Sequence, residues 1–271
     1  MAKVILVTGA TDGIGRQAAI MLAKQGYTIY GGGRNPQKLE ALKDEGIIPV
    51  KLDLTQNATL IDAVQMILNK ENRIDALVNC AGYGSYGAIE NVTMKEARRQ
   101  FDVNLFGLAE LVKLILPQMR KQHSGRIINV SSMGGRLTTY FGAWYHATKY
   151  ALEAFSDALR METHQFGIDV SIIEPGGIKT NWGMIAADHL QESSRGTVYE
   201  QEADRTAKMM KAEYSSNLLS NPKVIAKAIS KAVNSSHPKA RYLIGFGAKP
   251  LVFMHSIMPT KVFDWLMRKI G

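Results

Sequence analysis

Apolar and polar positions along the chain fall into two alternating rhythms. Short, nearly continuous apolar runs rich in β-branched residues occur at "KVILVT", "YTIYGG", "IIPVKL", "DALVNC", "RIINVSS", "DVSIIEP" and "RYLIGF". Between them lie longer stretches of helical period. In "GIGRQAAIMLAKQG" the apolar set is Ile14, Ala18, Met21 and Leu22, and Gly26 closes the element. A run that is apolar on both alternating faces is covered on both sides, whereas a period near 3.6 marks a helix with one buried stripe. The alternation predicts an α/β fold: one doubly wound parallel sheet of about seven strands with helices on both faces, in a single domain over residues 1–271. The rhythm fails from Gly176 to Asn221, where Gly, Ser and charges replace it. Residues 176–221 therefore read as a long irregular substrate loop or lid.

Composition narrows the classes. The chain has 271 residues, 46% of them hydrophobic, enough for a sizeable core. Its single cysteine, Cys80, excludes an intrachain disulfide, and the six histidines show no metal-ligand spacing, so no metal is expected. "MAKVILVTGA" is too short for a signal peptide or a span and reads as a buried strand, so a cytoplasmic protein is expected. The net charge of +9 is unevenly placed. From Asn221 to Gly271 there are nine basic residues and one acid (Asp264), an excess of +8. The remainder is nearly neutral, which argues against a nucleic-acid surface.

Candidate chemistry starts after the first strand. "TGATDGIG" sets Gly9, Gly13 and Gly15 at the turn into the first helix. Glycines let the backbone approach a pyrophosphate, and the helix N-terminus offers free N–H groups; three glycines also make an ordinary tight turn. The second strand ends in Gly33 and Arg34, with no carboxylate before Glu40. An acid at that end takes a ribose 2′-hydroxyl, whereas Arg suits a 2′-phosphate, so NADP(H) is the expected cofactor. "YHATK" places Tyr145 one helical turn before Lys149, on one face.

"TGATDGIG", "NCAG" (79–82), "VNLFG" (103–107), "NVSS" (129–132), "YHATK" and "EPGG" (174–177) stand in the order and at the intervals of the short-chain dehydrogenase/reductase family. The chain resembles that family from Lys3 to about Thr180, and within it the branch of 17β-hydroxysteroid and retinol dehydrogenases. Cys80 departs from the second Asn that the family often carries in "NNAG". The resemblance implies a Rossmann fold, with Tyr145 as acid/base and Lys149 as its electrostatic partner. It implies Ser132, rather than Ser131, as the hydroxyl on the substrate oxygen, and Asn104 as anchor of a water-linked proton path. For the cofactor it implies Gly9, Thr11, Asp12, Gly13, Ile14, Gly15, Arg34, Asp53, Leu54, Asn79, Ala81, Gly82, Tyr145, Lys149, Pro175, Gly176, Ile178 and Thr180. A phenol titrates near ~10, and a cation ~4 Å away at an effective dielectric of about 20 favours the phenolate by ~4 kcal/mol before desolvation, which points to a Tyr145 near 7.

The substrate walls are expected from 83–86, 133–144 and the residues after Trp182. They offer Tyr83, Tyr86, Met133, Leu137, Tyr140, Trp144, Trp182 and Met184 beside Ser132. Arg136 is the only Lys or Arg among them before Lys149, so a strongly anionic substrate is not favoured and an apolar alcohol or ketone of lipid, steroid, retinoid or aromatic type is expected. The alternative is a non-catalytic NADP(H)-binding redox sensor acting on a protein partner; the Asn104–Ser132–Tyr145–Lys149 set counts against it. A nucleotide-sugar epimerase would need a larger C-terminal domain. The helices at 92–119 and 144–166 carry surplus apolar surface, so a homodimer or tetramer is expected. The basic tail, 250–271, is too interrupted by Pro259 and charges to span a bilayer. It suits either an anionic membrane surface, with Trp265 at the interface, or closure of the pocket or a second subunit.

Overall fold

The computed structural model describes residues 2–270. All seven apolar runs are strands: β1 (Val4–Thr8), β2 (Thr28–Gly33), β3 (Ile48–Lys51), β4 (Ala76–Asn79), β5 (Gly125–Val130), β6 (Ile168–Pro175) and β7 (Arg241–Ile244). The helices are α1 (Gly13–Ala23), α2 (Pro36–Glu40), α3 (Asn57–Glu71), α4 (Met94–Phe101), α5 (Gly107–Gln122), α6 (Ala143–Thr163), α7 (Trp182–Ser194), α8 (Glu200–Ser215), α9 (Pro222–Asn234), α10 (Ala248–Ile257) and α11 (Thr260–Ile270).

The strands form one parallel sheet in the order β3-β2-β1-β4-β5-β6-β7. Successive side chains of β1 serve opposite faces. Ile5 and Val7 pack with Ala18, Leu22, Ile225 and Ile229 of α1 and α9. Val4 and Leu6 pack on the other side with α3, α5 and α6 through Val64, Leu111 and Leu152. Such two-sided burial explains why β1 has no polar alternation and why its five residues are all buried.

Strand order reverses between β1 and β4, and the carboxyl ends diverge there to leave a crevice. Thr8 closes its floor, its Oγ1 accepting from the Cys80 and Ala81 backbone N–H groups at 3.1 Å each. On the far side Arg241 of β7 donates to Glu174 of β6 at 2.7 Å and to Glu153 of α6. That charge cluster pins α6 to the sheet.

The expected loop over 176–221 is instead largely helical, since α7 and α8 occupy most of it. Their contact is lined by Ala186, Ala187, Leu190, Ala203 and Ala207, all buried. Alanine carries little hydrophobic signal yet favours helix and permits close approach, so the pairing is invisible to apolar periodicity.

Candidate active site

The first turn is shaped by its glycines. Gly9 and Gly13 have φ of 65° and 51°, in the left-handed region. A Cβ on Gly9 would lie 2.9 Å from the Cα of Ala81, and one on Gly15 only 2.3 Å from the Gly9 carbonyl oxygen. Asp12 caps α1 by accepting from Gly13 N–H at 2.7 Å. Thr11 stands against Gly33 at the end of β2, where a Cβ would come within 2.6 Å of its methyl carbon. Arg34 follows, exposed. This bare backbone at a helix N-terminus, with an unopposed guanidinium at the next strand end, fits a dinucleotide bearing a 2′-phosphate.

The cleft above the crevice has a volume of about 720 Å³. It is lined by Gly9, Thr11, Asp12, Gly13, Ile14, Gly15, Arg34, Asp53, Leu54, Ala81 and Gly82, then by Pro175, Gly176, Ile178 and Thr180. Asp53 also shapes its own turn, where its Oδ1 accepts from Thr55 N–H at 3.0 Å and from the Thr55 hydroxyl at 2.8 Å. Asn79 does not reach the cleft. It is buried between strands, and its Nδ2 donates to Asn129 Oδ1 at 2.9 Å. A residue ending a strand points to one face or the other, and Asn79 takes the face turned into the sheet's interior contacts.

Ser132, Tyr145 and Lys149 meet at the middle of the same cleft. Tyr145 and Lys149 share a face of α6, with Lys149 Nζ 6.0 Å from the Tyr145 ring centroid. Nζ donates to the Val130 carbonyl at 3.0 Å, at the end of β5. Ser132 caps a 3₁₀ turn over Met133–Gly135, its Oγ accepting from Gly134 N–H at 3.0 Å. The Ser132 hydroxyl is also the one that meets Tyr145. Ser131 is buried and its hydroxyl is turned toward Glu153, away from Tyr145.

Electrostatics differ from the sequence expectation. Burial pushes Tyr145 up rather than down, with Tyr86 adding to the rise and Ser132 opposing it. Burial lowers Lys149 to about 8, Glu153 and Cys80 countering. Desolvation disfavours both charged forms, and at this separation the ammonium does not offset it. At neutral pH the phenol is therefore protonated and the ammonium retained.

Asn104 sits one layer behind. It lies in a π-helical turn, Asp102–Phe106, between α4 and α5, a distortion that re-aims side chains. Its Nδ2 donates to the Tyr83 carbonyl at 2.9 Å and to Thr148 Oγ1 at 3.1 Å, and its Oδ1 accepts from Tyr83 N–H at 3.1 Å.

Of the expected substrate residues, Tyr83, Tyr86, Ser132, Met133, Leu137, Tyr140 and Trp182 line the cleft. Trp182 lies 4.9 Å from the Tyr145 ring, centroid to centroid. Trp144 and Met184 are not in the lining. Trp144 is one position from Tyr145, hence rotated by about 100° around α6, and its indole N–H is buried without a partner. Met184 faces solvent, and Ile185 takes its place. The helices α7 and α8 add His189, Met210 and Tyr214, which lie in the stretch after Trp182 expected to supply part of the wall but carry no local signal that singles them out.

His146 is the residue most clearly missed. Its Nδ1 lies 2.9 Å from the Gly134 carbonyl, which only accepts, so Nδ1 carries the proton. Its Nε2 accepts from Thr139 N–H at 3.0 Å. One neutral tautomer thus ties Gly134 to Thr139, clipping the segment that carries Leu137 and follows Met133. Gly134 and Gly142 make room: a Cβ on either would come within 2.8 and 2.5 Å of the imidazole. Burial lowers His146 to about 4. Protonation is then taken up mainly by the unfolded chain, so stability is full above about 6.5 and falls as the pH drops toward about 4. Between pH 7 and 5 the His146 contribution to that loss is expected to be about 2 kcal/mol. Chemical denaturation of wild type and His146→Gln across this range checks it: the variant's curve should be flatter, and parallel curves would refute the clip.

Known proteins agree with this architecture. Residues 3–190 match the family described as short chain dehydrogenase. A probable short-chain type dehydrogenase/reductase, VdlC, of Helicobacter pylori is 36% identical over 265 residues, covering 98% of this chain and 96% of its own. The 3-ketodihydrosphingosine reductase of Bacteroides thetaiotaomicron is 34% identical over 270 residues, covering 97% and 93%. Among solved structures, a short-chain dehydrogenase from Streptomyces avermitilis superposes with a TM-score of 0.81 at 32% identity, covering 94% of this chain and 92% of that one. A variant of actinorhodin polyketide ketoreductase with NADPH gives 0.74 at 26% identity, covering 89% and 94%. A doubly wound sheet with a glycine turn and a Tyr–Lys pair at its crevice defines a dinucleotide-dependent oxidoreductase. The chain belongs to the short-chain dehydrogenase family.

Proposed function

We propose that the protein interconverts an apolar ketone and its alcohol with NADP(H), and that the buried, protonated Tyr145 supplies the proton. The observation that carries this reading is the meeting of Ser132, Tyr145 and Lys149 in the cleft that also holds the Gly9–Gly15 turn. When bound, NADPH supplies the hydride and NADP⁺ accepts it. In reduction, Ser132 donates a hydrogen bond to the carbonyl oxygen and orients it. The Tyr145 O–H then passes its proton to that oxygen as the carbon gains the hydride, giving C–OH and a phenolate. Lys149 stabilises the phenolate, and Asn104 holds the backbone of Tyr83, in the loop after β4, through both its N–H and its carbonyl.

A phenol kept protonated by burial is ready to act as the acid when a carbonyl is reduced, and its phenolate is the base for the reverse reaction. The aromatic wall of Tyr86, Trp182 and Tyr214 supports an apolar substrate, and a relative named as a reductase of a sphingoid ketone supports the lipid type. The cofactor reading has support from Arg34 and from the NADPH of the polyketide ketoreductase. Exposed Phe106 on the turn leading into α5, with Tyr150 and Met161 on α6, supports a contact with a second copy.

Fluorescence titration with NADPH and NADH, followed by a ketone panel, tests the reading. NADPH is expected to bind about tenfold tighter or better, since Arg34 pairs with a 2′-phosphate and no acid repels it. Arg34→Asp should erase or reverse that preference. Equal affinities in the wild type would defeat the cofactor assignment.

A further inference from the structure

The two C-terminal helices divide the tail's apolar residues into an inner and an outer set. Val252 of α10 and Phe263 and Met267 of α11 are buried with Leu137, and Met133 packs against them. Met133 and Leu137 also line the cleft, so the inner faces of α10 and α11 back its substrate end. Pocket closure thus accounts for the inner set, and leaves the outer one unexplained.

The outer set is unusually apolar for free helix faces. Phe253 and Ile257 are 62% and 63% exposed, and Val262 and Trp265 45% and 56%. Lys249, Phe253 and Ile257 follow one another at intervals of one turn on α10, as do Lys261, Trp265 and Arg268 on α11. Both helices turn their other side to one shared cluster, so these faces look away from the same core. Lys249, Lys261, Arg268 and Lys269 are exposed, and among the described residues none makes an ion pair.

We propose that the outer faces of α10 and α11 dock the protein reversibly on an anionic lipid surface, beside the Met133–Leu137 wall of the cleft. Charge decides the occupant. A two-fold contact between copies would set this patch against itself and its cations against like cations. Lipid phosphates neutralise them while Trp265 and Phe253 enter the headgroup region. No helix of the described residues is long and apolar enough to cross a membrane, so the attachment is peripheral. The apolar-substrate reading gives docking its use, but docking itself is measured without turnover.

The test is co-sedimentation with phosphatidylcholine vesicles, with and without phosphatidylglycerol, at about 20 and about 300 mM salt. The protein should pellet with the anionic vesicles at low salt and about tenfold less at high salt, where screening is short-ranged. It should stay in solution with phosphatidylcholine alone. Two variants, Phe253→Ser with Trp265→Ser, and Lys261→Glu with Arg268→Glu and Lys269→Glu, should each lose pelleting while NADPH affinity and melting temperature hold. No pelleting of wild type at low salt, or undiminished pelleting of the charge-reversed variant, overturns the proposal. So does a serine variant that turns from dimer to monomer in sedimentation velocity, since the face would then be a subunit contact.

Discussion

Replacing Tyr145 with Phe is expected to lower turnover of any accepted ketone by at least ~10²-fold, the usual range for a positioned acid–base group. The ring makes the packing contacts and the hydroxyl makes the chemistry, so the two separate cleanly. The aromatic neighbours Tyr86 and Trp182, 5.9 and 4.9 Å away, meet the ring and are kept by Phe. Melting temperature and NADPH affinity should therefore stay close to wild type while kcat collapses. A Tyr145→Phe protein that turned over at near-normal rate would remove Tyr145 from the mechanism. Steady-state kinetics beside a binding titration give both numbers.

Lys149→Met is expected to be comparably severe, for a different reason. Lys149 is only 6% exposed and its Nζ donates to the Val130 carbonyl, so the ammonium is a fixed charge in a poorly solvated site. Fixed charges aimed at a developing anion typically contribute about 10²–10³ in rate. Met fills much of the volume but leaves the phenolate without its counter-charge. Because burial places Lys149 at about 8, reduction by the wild type should also decline as the pH rises through about 8, when the ammonium loses its proton. That decline should be absent from the residual rate of Lys149→Met. A pH–rate profile of both proteins, with a melting curve to verify folding, checks the pair. Unchanged kcat in Lys149→Met would refute the role.

Much of this site was legible in the chain. Near-continuous apolar runs of five or six residues mark strands buried on both faces, because their β-branched content, short length and flanking turn residues set them apart from a buried helix segment. Spacing placed Tyr145 and Lys149 on one face of α6, since one turn of helix is set by backbone geometry alone. Gly9, Gly13 and Gly15 were readable as a turn, because only a residue without Cβ tolerates that φ or that approach. The same local logic failed for 176–221, where alanine pairs bury helices without an apolar stripe.

Local order along the chain thus determined the sheet, its parallel winding, the glycine turn and the Tyr145–Lys149 pair, all of which depend on interactions within a few residues or on binary burial. Tertiary structure alone decided which distant residues share a space. It set Trp182 against Tyr145, turned Trp144 and Asn79 away from the cleft, brought α8 to its wall, and used His146 as a clip between Gly134 and Thr139. It also decided the sign of the Tyr145 shift, because desolvation depends on every group packed around the phenol, and no interval in the sequence counts those groups.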